Sequence, residues 1–278
     1  MEELAGRHAF ITGGAGGIGL AIGRALAVRG ARVTLADIDA EVLATTVAGF
    51  PGEALGAPLD VRDRSAWSTA RKTAEDRFGP VDILCNNAGI GPDAKLIADT
   101  APETFDRIVA INLTGVFNGV SEFAAAMRAR ASGHIVNTSS TAGLLAAPHI
   151  GPYVASKFGV LGLSEALRYE LAPHGVGVSV LCPGLVATRL GESTRKITGE
   201  PPPAQTPARP AGMVGIDPAY VGERVADAIQ VNRFYILPHG EYREAVAGRA
   251  ARLQAAFAEA AESPGYAPGV PLAGIPPE

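Results

Sequence analysis

Apolar residues along this chain recur with two different periods. Short apolar runs with many β-branched residues have the length of buried strands, and they fall at residues 8–12, 32–36, 81–86, 134–139, 177–182 and 234–237. Longer stretches with helical spacing lie between them, at residues 18–29, 40–48, 65–78, 102–130, 152–173 and 218–232. This alternation indicates βαβ crossovers, and near-continuous apolar strands indicate burial on both faces. The pattern predicts an α/β fold with a doubly wound parallel sheet between two layers of helices.

Two segments depart from this alternation. Residues 191–215 are rich in Pro, Gly and Thr and show no clear period, which is typical of either a flexible surface insertion or a lid over a pocket. We predict a substrate lid loop over residues 189–215. An Ala-rich stretch predicts a further helix from Glu241 to about Glu262, followed by a Pro/Gly-rich tail. We therefore expect one catalytic domain over residues 1–278, with residues 240–278 as its C-terminal helix and tail.

Composition narrows the classes of protein that fit. The 278 residues carry a net charge of −4 and no basic cluster, so nucleic acid is not an expected partner. The first residues are polar, and no run approaches the roughly 18 apolar residues of a membrane span, so we expect neither secretion nor a membrane. Cys85 and Cys182 are then two reduced thiols of a cytoplasmic protein. The five histidines lack metal-ligand spacing, and we predict no catalytic metal.

The first predicted strand runs into a glycine-rich octet, TGGAGGIG at residues 12–19, and then into a helix. Glycines allow a tight turn and a close approach of the backbone to a pyrophosphate. The helix start offers free N–H groups and the positive end of its dipole. A flexible turn would also be glycine-rich, so the octet gains weight only from this strand–turn–helix context.

Asp37 ends the second predicted strand, roughly 20 residues after the octet, where dinucleotide-binding folds carry a ribose-binding acid. A carboxylate there accepts hydrogen bonds from the adenosine hydroxyls and repels a 2′-phosphate. We therefore predict NAD as the cofactor in preference to NADP. The alternative is that Asp37 is an ordinary strand-end or helix-capping residue.

Further short motifs follow the octet in order along the chain: Asp60-Val61, Asn86-Asn87-Ala88-Gly89, Asn112, Ser140, Tyr153 with Lys157, Pro183-Gly184 and Thr188. Together with the TGxxxGxG spacing of the octet, they make the chain resemble the single-domain branch of the short-chain dehydrogenase/reductase family as far as about Leu237. The resemblance implies a single-domain Rossmann fold with about seven strands and an NAD-linked oxidoreductase.

The resemblance also implies where the cofactor binds. Asp60 and Val61 would border the adenine, and Thr188 would lie near the nicotinamide carboxamide. Ile38 stands where NADP-preferring members often have Arg, in agreement with NAD. The full set of implied cofactor-binding residues is Thr12, Gly13, Gly17, Ile18, Gly19, Asp37, Ile38, Asp60, Val61, Asn87, Ala88, Gly89, Tyr153, Lys157, Pro183, Gly184, Val186 and Thr188.

Tyr153 and Lys157 are four residues apart on a predicted helix, so they share one face. An ammonium near a phenol lowers the phenol's pKa from about 10, which makes Tyr153 a better acid–base group. In the family, Lys157 also binds the nicotinamide ribose, Ser140 stabilises the substrate oxygen, and Asn112 sits in a helix distortion and relays protons through a water. Ser139 is the neighbouring alternative to Ser140.

The substrate pocket is expected to be shaped by residues 140–153, by residues 89–95 and by the lid from Leu185 to about Gly215. Because residues 144–150 are largely apolar, the small-molecule substrate is expected to be a hydrophobic or aryl-bearing secondary alcohol or ketone. The region after about residue 221 resembles bacterial dehydrogenases of bulky aryl and cyclic secondary alcohols. His149 lies in the same loop and receives no role.

Two other classes of function remain open: an epimerase or dehydratase that uses the same Tyr and Lys, and an NAD-binding sensor or scaffold without turnover. The family further implies a homodimer or homotetramer.

Overall fold

The computed structural model describes residues 1–199 and 214–269, and it contains a single seven-stranded parallel sheet. The strands lie in the order β3-β2-β1-β4-β5-β6-β7. Their bounds are β1 His8–Thr12, β2 Arg32–Asp37, β3 Ala54–Pro58, β4 Ile83–Asn86, β5 Gly133–Thr138, β6 Val176–Leu181 and β7 Tyr235–Ile236. The order reverses between β1 and β4, so the carboxyl ends of these two strands flank the crevice where doubly wound sheets bind ligands. The predicted α/β class and doubly wound parallel sheet are confirmed.

Helices connect these strands. They are α1 Gly17–Val28, α2 Ala40–Ala48, α3 Arg64–Phe78, α4 Pro102–Val109, α5 Gly115–Ala129, α6 Gly151–Leu171, α7 Leu190–Thr198, α8 Pro218–Gln230 and α9 Arg243–Glu262. Side chains start several of them: Asp39 accepts a hydrogen bond from the Val42 N–H, Asp63 from Ser65 and Ala66, and Asp217 from Ala219.

The structure differs from the predicted pattern of helices and strands at three places. Strand β3 was not predicted, because its Gly and Pro weaken the strand pattern, and Pro58 is tolerated only because β3 is an edge strand. Periodicity alone predicted an unbroken helix over 102–130, but a π-helical turn, Ala110–Thr114, interrupts it at Asn112, where the family resemblance implied a distortion. The predicted lid loop begins with helix α7, and its residues 200–213 lie outside the described residues. The chain forms two compact units, Met1–His239 and Gly240–Glu278, and the second has the bounds expected for the C-terminal helix and tail.

Two apolar clusters, one built around α1 and α8 and the other around α3 and α5, pack against the sheet. In the second, the Phe10 ring of β1 lies 5.3 Å from the Phe123 ring of α5 and 6.0 Å from Trp67 of α3. Burial of each such ring stabilises the fold by about 1.5–3 kcal/mol or more. The carboxyl ends of the strands, which flank the crevice, are thereby supported by packed helices on both faces of the sheet.

The stretch Pro102–Ala129 is long and apolar enough to cross a membrane by length and composition alone. Half of its apolar window is buried inside the protein, and α5 contributes Phe123 to the core. Its apolar character is thus accounted for by packing against the sheet.

Candidate active site

The glycine-rich octet forms the turn between β1 and α1. Gly13 and Gly17 adopt φ values of 64° and 53°, which favour glycine. A Cβ at Gly19 would stand 2.2 Å from the Gly13 carbonyl oxygen, so the turn closes only without a side chain there. Within the described residues, α1 has neither a side-chain cap nor an acidic residue in its first turn. Its first N–H groups therefore remain open to an anion.

Thr12 and Asn87 join the carboxyl ends of β1 and β4. The Thr12 hydroxyl accepts hydrogen bonds from the backbone N–H groups of Asn87 (2.9 Å) and Ala88 (3.0 Å). The Asn87 amide in turn donates to the Thr12 carbonyl at 3.0 Å. These bonds fix the spacing of the two strand ends on either side of the crevice.

Carboxylates gather at the end of the crevice near β2. Asp37 accepts hydrogen bonds from the backbone N–H groups of Ala15 (3.0 Å) and Asp39 (3.1 Å), so it also holds the glycine turn in place. Asp60 pairs with Arg62 at 2.6 Å, and hydrogen bonding to that guanidinium lowers the pKa of the Asp60 carboxyl. Asp39 pairs with Lys196 of α7, which lowers its pKa in the same way.

At the opposite end of the crevice, Tyr153 and Lys157 share one face of α6. The Lys157 ammonium lies 5.6 Å from the centre of the Tyr153 ring and donates to the Thr138 carbonyl at 3.0 Å. Burial lowers the pKa of Lys157 to about 8. Burial also raises the pKa of Tyr153, and its hydrogen bond with Ser140 offsets part of that rise. The expected lowering of the Tyr153 pKa is therefore not produced by the protein's own groups, since loss of hydration dominates.

The two neighbouring serines have different surroundings. Ser139 is 1% exposed, and its hydroxyl donates to the Lys157 carbonyl at 2.7 Å. The Ser140 hydroxyl accepts from the Ala142 N–H at 3.1 Å, donates to the Pro183 carbonyl at 3.3 Å, and interacts with the Tyr153 phenol. Of the two, Ser140 is the one that interacts with Tyr153, whereas Ser139 anchors α6.

Asn112 lies in the π-helical turn and is fully buried. Its side-chain oxygen accepts from the Ile90 N–H at 2.8 Å, and its amide donates to the Ile90 carbonyl at 3.0 Å. A Cβ at Gly89 would stand 3.1 Å from the Asn112 oxygen and 3.7 Å from the Lys157 nitrogen. Asn112 and Lys157 therefore both lie beside the position that a Cβ on Gly89 would occupy.

A cleft of about 730 Å³ runs between these two ends. Most of the residues predicted from the sequence line it: Gly13, Gly17, Ile18, Asp37, Ile38, Asp60, Val61, Asn87, Ala88, Gly89, Ser140, Tyr153, Lys157, Pro183, Gly184, Val186 and Thr188. Thr12, Gly19 and Asn112 lie behind the wall and hold lining residues in place.

The wall also contains residues that were not predicted individually, although all of them except Thr138 lie in segments expected to shape the pocket. Ile90, Leu190 and Ile197 give it an apolar part, and Thr138, Arg189 and Lys196 give it a polar part. The apolar loop 144–150, expected to shape the substrate pocket, does not line the cleft. The sequence signal that could have identified single residues is adjacency to predicted site residues: Ile90 directly follows Gly89, and Arg189 and Leu190 directly follow Thr188.

His239 was also missed, and it holds the turn after β6. Its Nδ1 accepts a hydrogen bond from the Gly184 N–H at 3.0 Å, which leaves Nε2 to donate to the Leu185 carbonyl at 3.0 Å. Both bonds form together only in the neutral ring with its proton on Nε2. No local sequence signal links His239 to Gly184, because the two are 55 residues apart.

Residues 7–198 match the family model described as short chain dehydrogenase, which covers more than half of the chain. The chain belongs to the short-chain dehydrogenase family. This match confirms the resemblance drawn from the motifs, and with it an oxidoreductase. The order of the motifs had carried that inference, and all of them from the octet to Thr188 fall inside the matched range.

Relatives in the short-chain dehydrogenase family cover most of the chain. The C alpha-dehydrogenase of Sphingobium sp. (strain NBRC 103272 / SYK-6) is 33% identical over 260 residues, or 88% of this chain and 84% of that protein. The D-beta-hydroxybutyrate dehydrogenase of Rhizobium meliloti (strain 1021) is 40% identical over 206 residues, or 70% and 80%. A short chain dehydrogenase/reductase from Burkholderia phymatum, solved in complex with NAD, has a TM-score of 0.79 at 32% identity and covers 97% and 100%.

The residues of the cleft fit a nicotinamide dinucleotide. Glycines leave space where any Cβ would collide, the N–H groups of α1 are open, and the Thr138 hydroxyl on the wall is buried without a hydrogen-bond partner among the described residues. Within that same part of the chain, no cluster of three or more His, Cys, Asp or Glu side chains could hold a metal ion.

Proposed function

We propose that this protein is an NAD(H)-dependent dehydrogenase that interconverts a hydrophobic or aryl-bearing secondary alcohol and its ketone. One observation carries the proposal. Tyr153, Lys157 and Ser140 meet at one end of a cleft whose other end holds the glycine turn and Asp37. The cleft of about 730 Å³ connects these two ends and is lined by both polar and apolar residues.

When bound, the nicotinamide supplies the hydride acceptor or donor. The Tyr153 hydroxyl takes the proton from the alcohol oxygen during oxidation and returns it during reduction. The Ser140 hydroxyl, which donates to the Pro183 carbonyl in the absence of substrate, turns to donate to the same oxygen and stabilises negative charge that develops there. Lys157 binds the ribose, and its ammonium favours the phenolate of Tyr153. Asn112, next to Gly89 and Lys157, connects this group to a proton relay.

Preference for NAD over NADP rests on Asp37 and its neighbours. Asp37, Asp39 and Glu41 line the same end of the cleft, and their negative charges would repel a 2′-phosphate. The complex of the Burkholderia phymatum relative with NAD supports the same choice.

The apolar part of the wall supports a hydrophobic substrate. Ile90, Leu190 and Ile197 line the cleft, and the last two belong to the lid helix α7. Apolar walls with a few convergent polar groups favour ligands with a large apolar body. The name of the Sphingobium relative, a C alpha-dehydrogenase, is compatible with oxidation of a carbinol carbon.

The test is a spectrophotometric screen at the NADH absorption band. NAD and NADP are supplied in parallel with aryl, alicyclic, steroid and polyol secondary alcohols. Wild type is compared with Tyr153→Phe, and Tyr169→Phe, which changes an exposed tyrosine of the same helix, is the matched control.

We expect NAD-linked turnover of a hydrophobic alcohol by wild type and Tyr169→Phe, and a loss of several orders of magnitude in Tyr153→Phe with NADH binding retained. Turnover by Tyr153→Phe at the wild-type rate would refute the acid–base role. NAD binding without turnover of any alcohol would favour the sensor function.

A further inference from the structure

Arg189 directly follows Thr188 and stands at the N-terminal cap of the lid helix α7. One terminal nitrogen of its guanidinium is 4.0 Å from the position that a Cβ on Gly16 would occupy. The Thr188 side chain approaches the corresponding position on Gly17 to 3.3 Å. Arg189 therefore extends over the glycine turn, on the side of the turn that faces the cleft.

The charges of the cleft wall make this arginine distinctive. Five carboxylates line the wall: Asp37, Asp39, Glu41, Asp60 and Glu192. Four cations line it as well: Arg62, Lys157, Arg189 and Lys196. Arg62 is paired with Asp60, and Lys196 with Asp39. Lys157 lies buried beside the Tyr153 ring and donates to the Thr138 carbonyl.

For Arg189, in contrast, no ion pair forms with any residue in the described part of the chain. A pyrophosphate carries two negative charges, and the carboxylates of this cleft outnumber its cations. Binding therefore requires a positive charge that is not already neutralised by a neighbour. Arg189 is the cation that meets this requirement at the glycine turn.

We propose that Arg189 is a cofactor-binding residue that contacts the pyrophosphate of the dinucleotide, opposite the N-terminus of α1. The inference rests on the proposed function, since it assumes that a dinucleotide occupies the cleft. A guanidinium presents a planar pair of donors that matches phosphate oxygens, and such charge-assisted bonds are about twice as strong as neutral ones. The open N–H groups of α1 bind the same anion from the other side.

This contact would link cofactor binding to the lid. Arg189 is the residue from which α7 starts, and α7 is held elsewhere by Thr194, whose hydroxyl accepts from the Gly91 N–H at 2.8 Å. A pyrophosphate held by both Arg189 and α1 would therefore fasten the start of the lid helix to the glycine turn.

The test measures binding without turnover, on the full chain. NADH affinity is followed by the change in its fluorescence, and ADP-ribose and adenosine are then used as competitors of NADH. ADP-ribose carries the pyrophosphate without the nicotinamide, and adenosine carries neither. The variants are Arg189→Gln and Arg189→Lys, with Arg195→Gln as matched control because Arg195 lies on the same helix but does not line the cleft.

We expect Arg189→Gln to raise the Kd of NADH and of ADP-ribose by roughly tenfold each, the loss typical of one bond to a charged group. Arg189→Lys should recover part of that loss, while adenosine competition and the Arg195→Gln variant stay at wild-type values. Added salt should weaken NADH binding less in Arg189→Gln than in wild type.

Wild-type affinity in Arg189→Gln, or an equal loss in Arg195→Gln, would overturn the assignment of Arg189 while leaving the proposed function intact. Failure of wild type itself to bind NADH would instead overturn the proposed function, so the two failures are distinguishable.

Discussion

At the scale of single residues, burial of the charged Lys157 side chain in the site lowers the free energy of unfolding. Its ammonium is buried in the protein with 4% exposure, and its pKa falls from 10.5 to about 8. The folded-state pKa is thus lower than that of the unfolded chain. At pH 7 the group is charged in both states, and the full burial penalty is present. The penalty shrinks as the pH rises through about 8.

We therefore predict that Lys157→Met stabilises the protein at pH 7 by up to roughly 3 kcal/mol, the free energy equivalent of the lowered pKa. The same variant should lose activity, as expected where a site is destabilised for function. Urea unfolding at pH 7 and at pH 10 checks this, because the advantage of Met should be smaller at the higher pH. A Met variant less stable than wild type at pH 7 would contradict the burial argument.

We propose that Asp37 sets the preference for NAD over NADP, and Asp37→Asn separates its charge from its shape. Asparagine keeps a side-chain oxygen for the Ala15 N–H but has no negative charge. We expect the ratio of kcat/KM for NAD over NADP to fall by about tenfold, mainly because NADP improves. Asp63→Asn, at the cap of α3 and outside the cleft, is the control. An unchanged ratio in Asp37→Asn would remove Asp37 from the specificity argument.

Residues of the site were predictable where chemistry is written locally. Tyr153 and Lys157 are one helical turn apart, and Asp37 follows directly on an apolar strand, but the order of the motifs and the family resemblance were needed to single them out. His239 and Thr138 were not predictable in this way. The first acts on Gly184 across 55 residues, and the second is a site residue only because β5 ends at the cleft. Their roles arise from strand order, which no local pattern encodes.

At the scale of elements, the sequence predicted the helices and strands that are long or apolar and missed those set by tertiary context. Strand β3 contains Gly and Pro and gains its strand character from pairing with β2. No local sequence pattern marks the π turn around Asn112. The side chain of Asn112 accepts a hydrogen bond from the Ile90 N–H, outside its own helix. Helix α7 is short and polar, so its period was hidden in a Pro/Gly-rich segment.

Helix α5 offers a test of how closely an element supports the cleft. Gly119 faces the end of β4, where a Cβ would stand 2.1 Å from the Asn86 oxygen and 2.8 Å from Trp67. We predict that Gly119→Ala destabilises the protein by about 1–3 kcal/mol through overpacking, although alanine favours helix by about 1 kcal/mol. It should also weaken NADH binding, because a displaced Asn86 would move its neighbour Asn87, which lines the crevice. Ser121→Ala, at an exposed position of the same helix, is the control for helix propensity. Stability is measured by urea unfolding, and a Gly119→Ala variant more stable than wild type would refute the clash.

At the scale of the whole molecule, α5 and α6 each leave one stripe of small and aromatic side chains exposed. On α6 the stripe is Ala155, Gly162, Ala166 and Tyr169, and on α5 it is Phe117, Ser121, Ala125 and Arg128. Small residues allow helices to pack closely, and exposed aromatics mark surfaces that other molecules cover. The two helices also position the residues proposed for catalysis, since α6 holds Tyr153 and Lys157 and α5 continues from the π turn that contains Asn112. These stripes support the expected homodimer or homotetramer.

Ala166→Arg tests that assembly, because its long side chain points into solvent in the single chain but would occupy the space needed by a partner helix. We expect wild type to sediment as a dimer or tetramer and Ala166→Arg as a monomer with reduced activity, since α6 would lose the contact that steadies Tyr153 and Lys157. Ser68→Arg adds the same charge to an exposed position of α3 and should change neither property. A wild-type monomer with full activity would show that α6 needs no partner, and an oligomeric Ala166→Arg would show that the interface lies elsewhere.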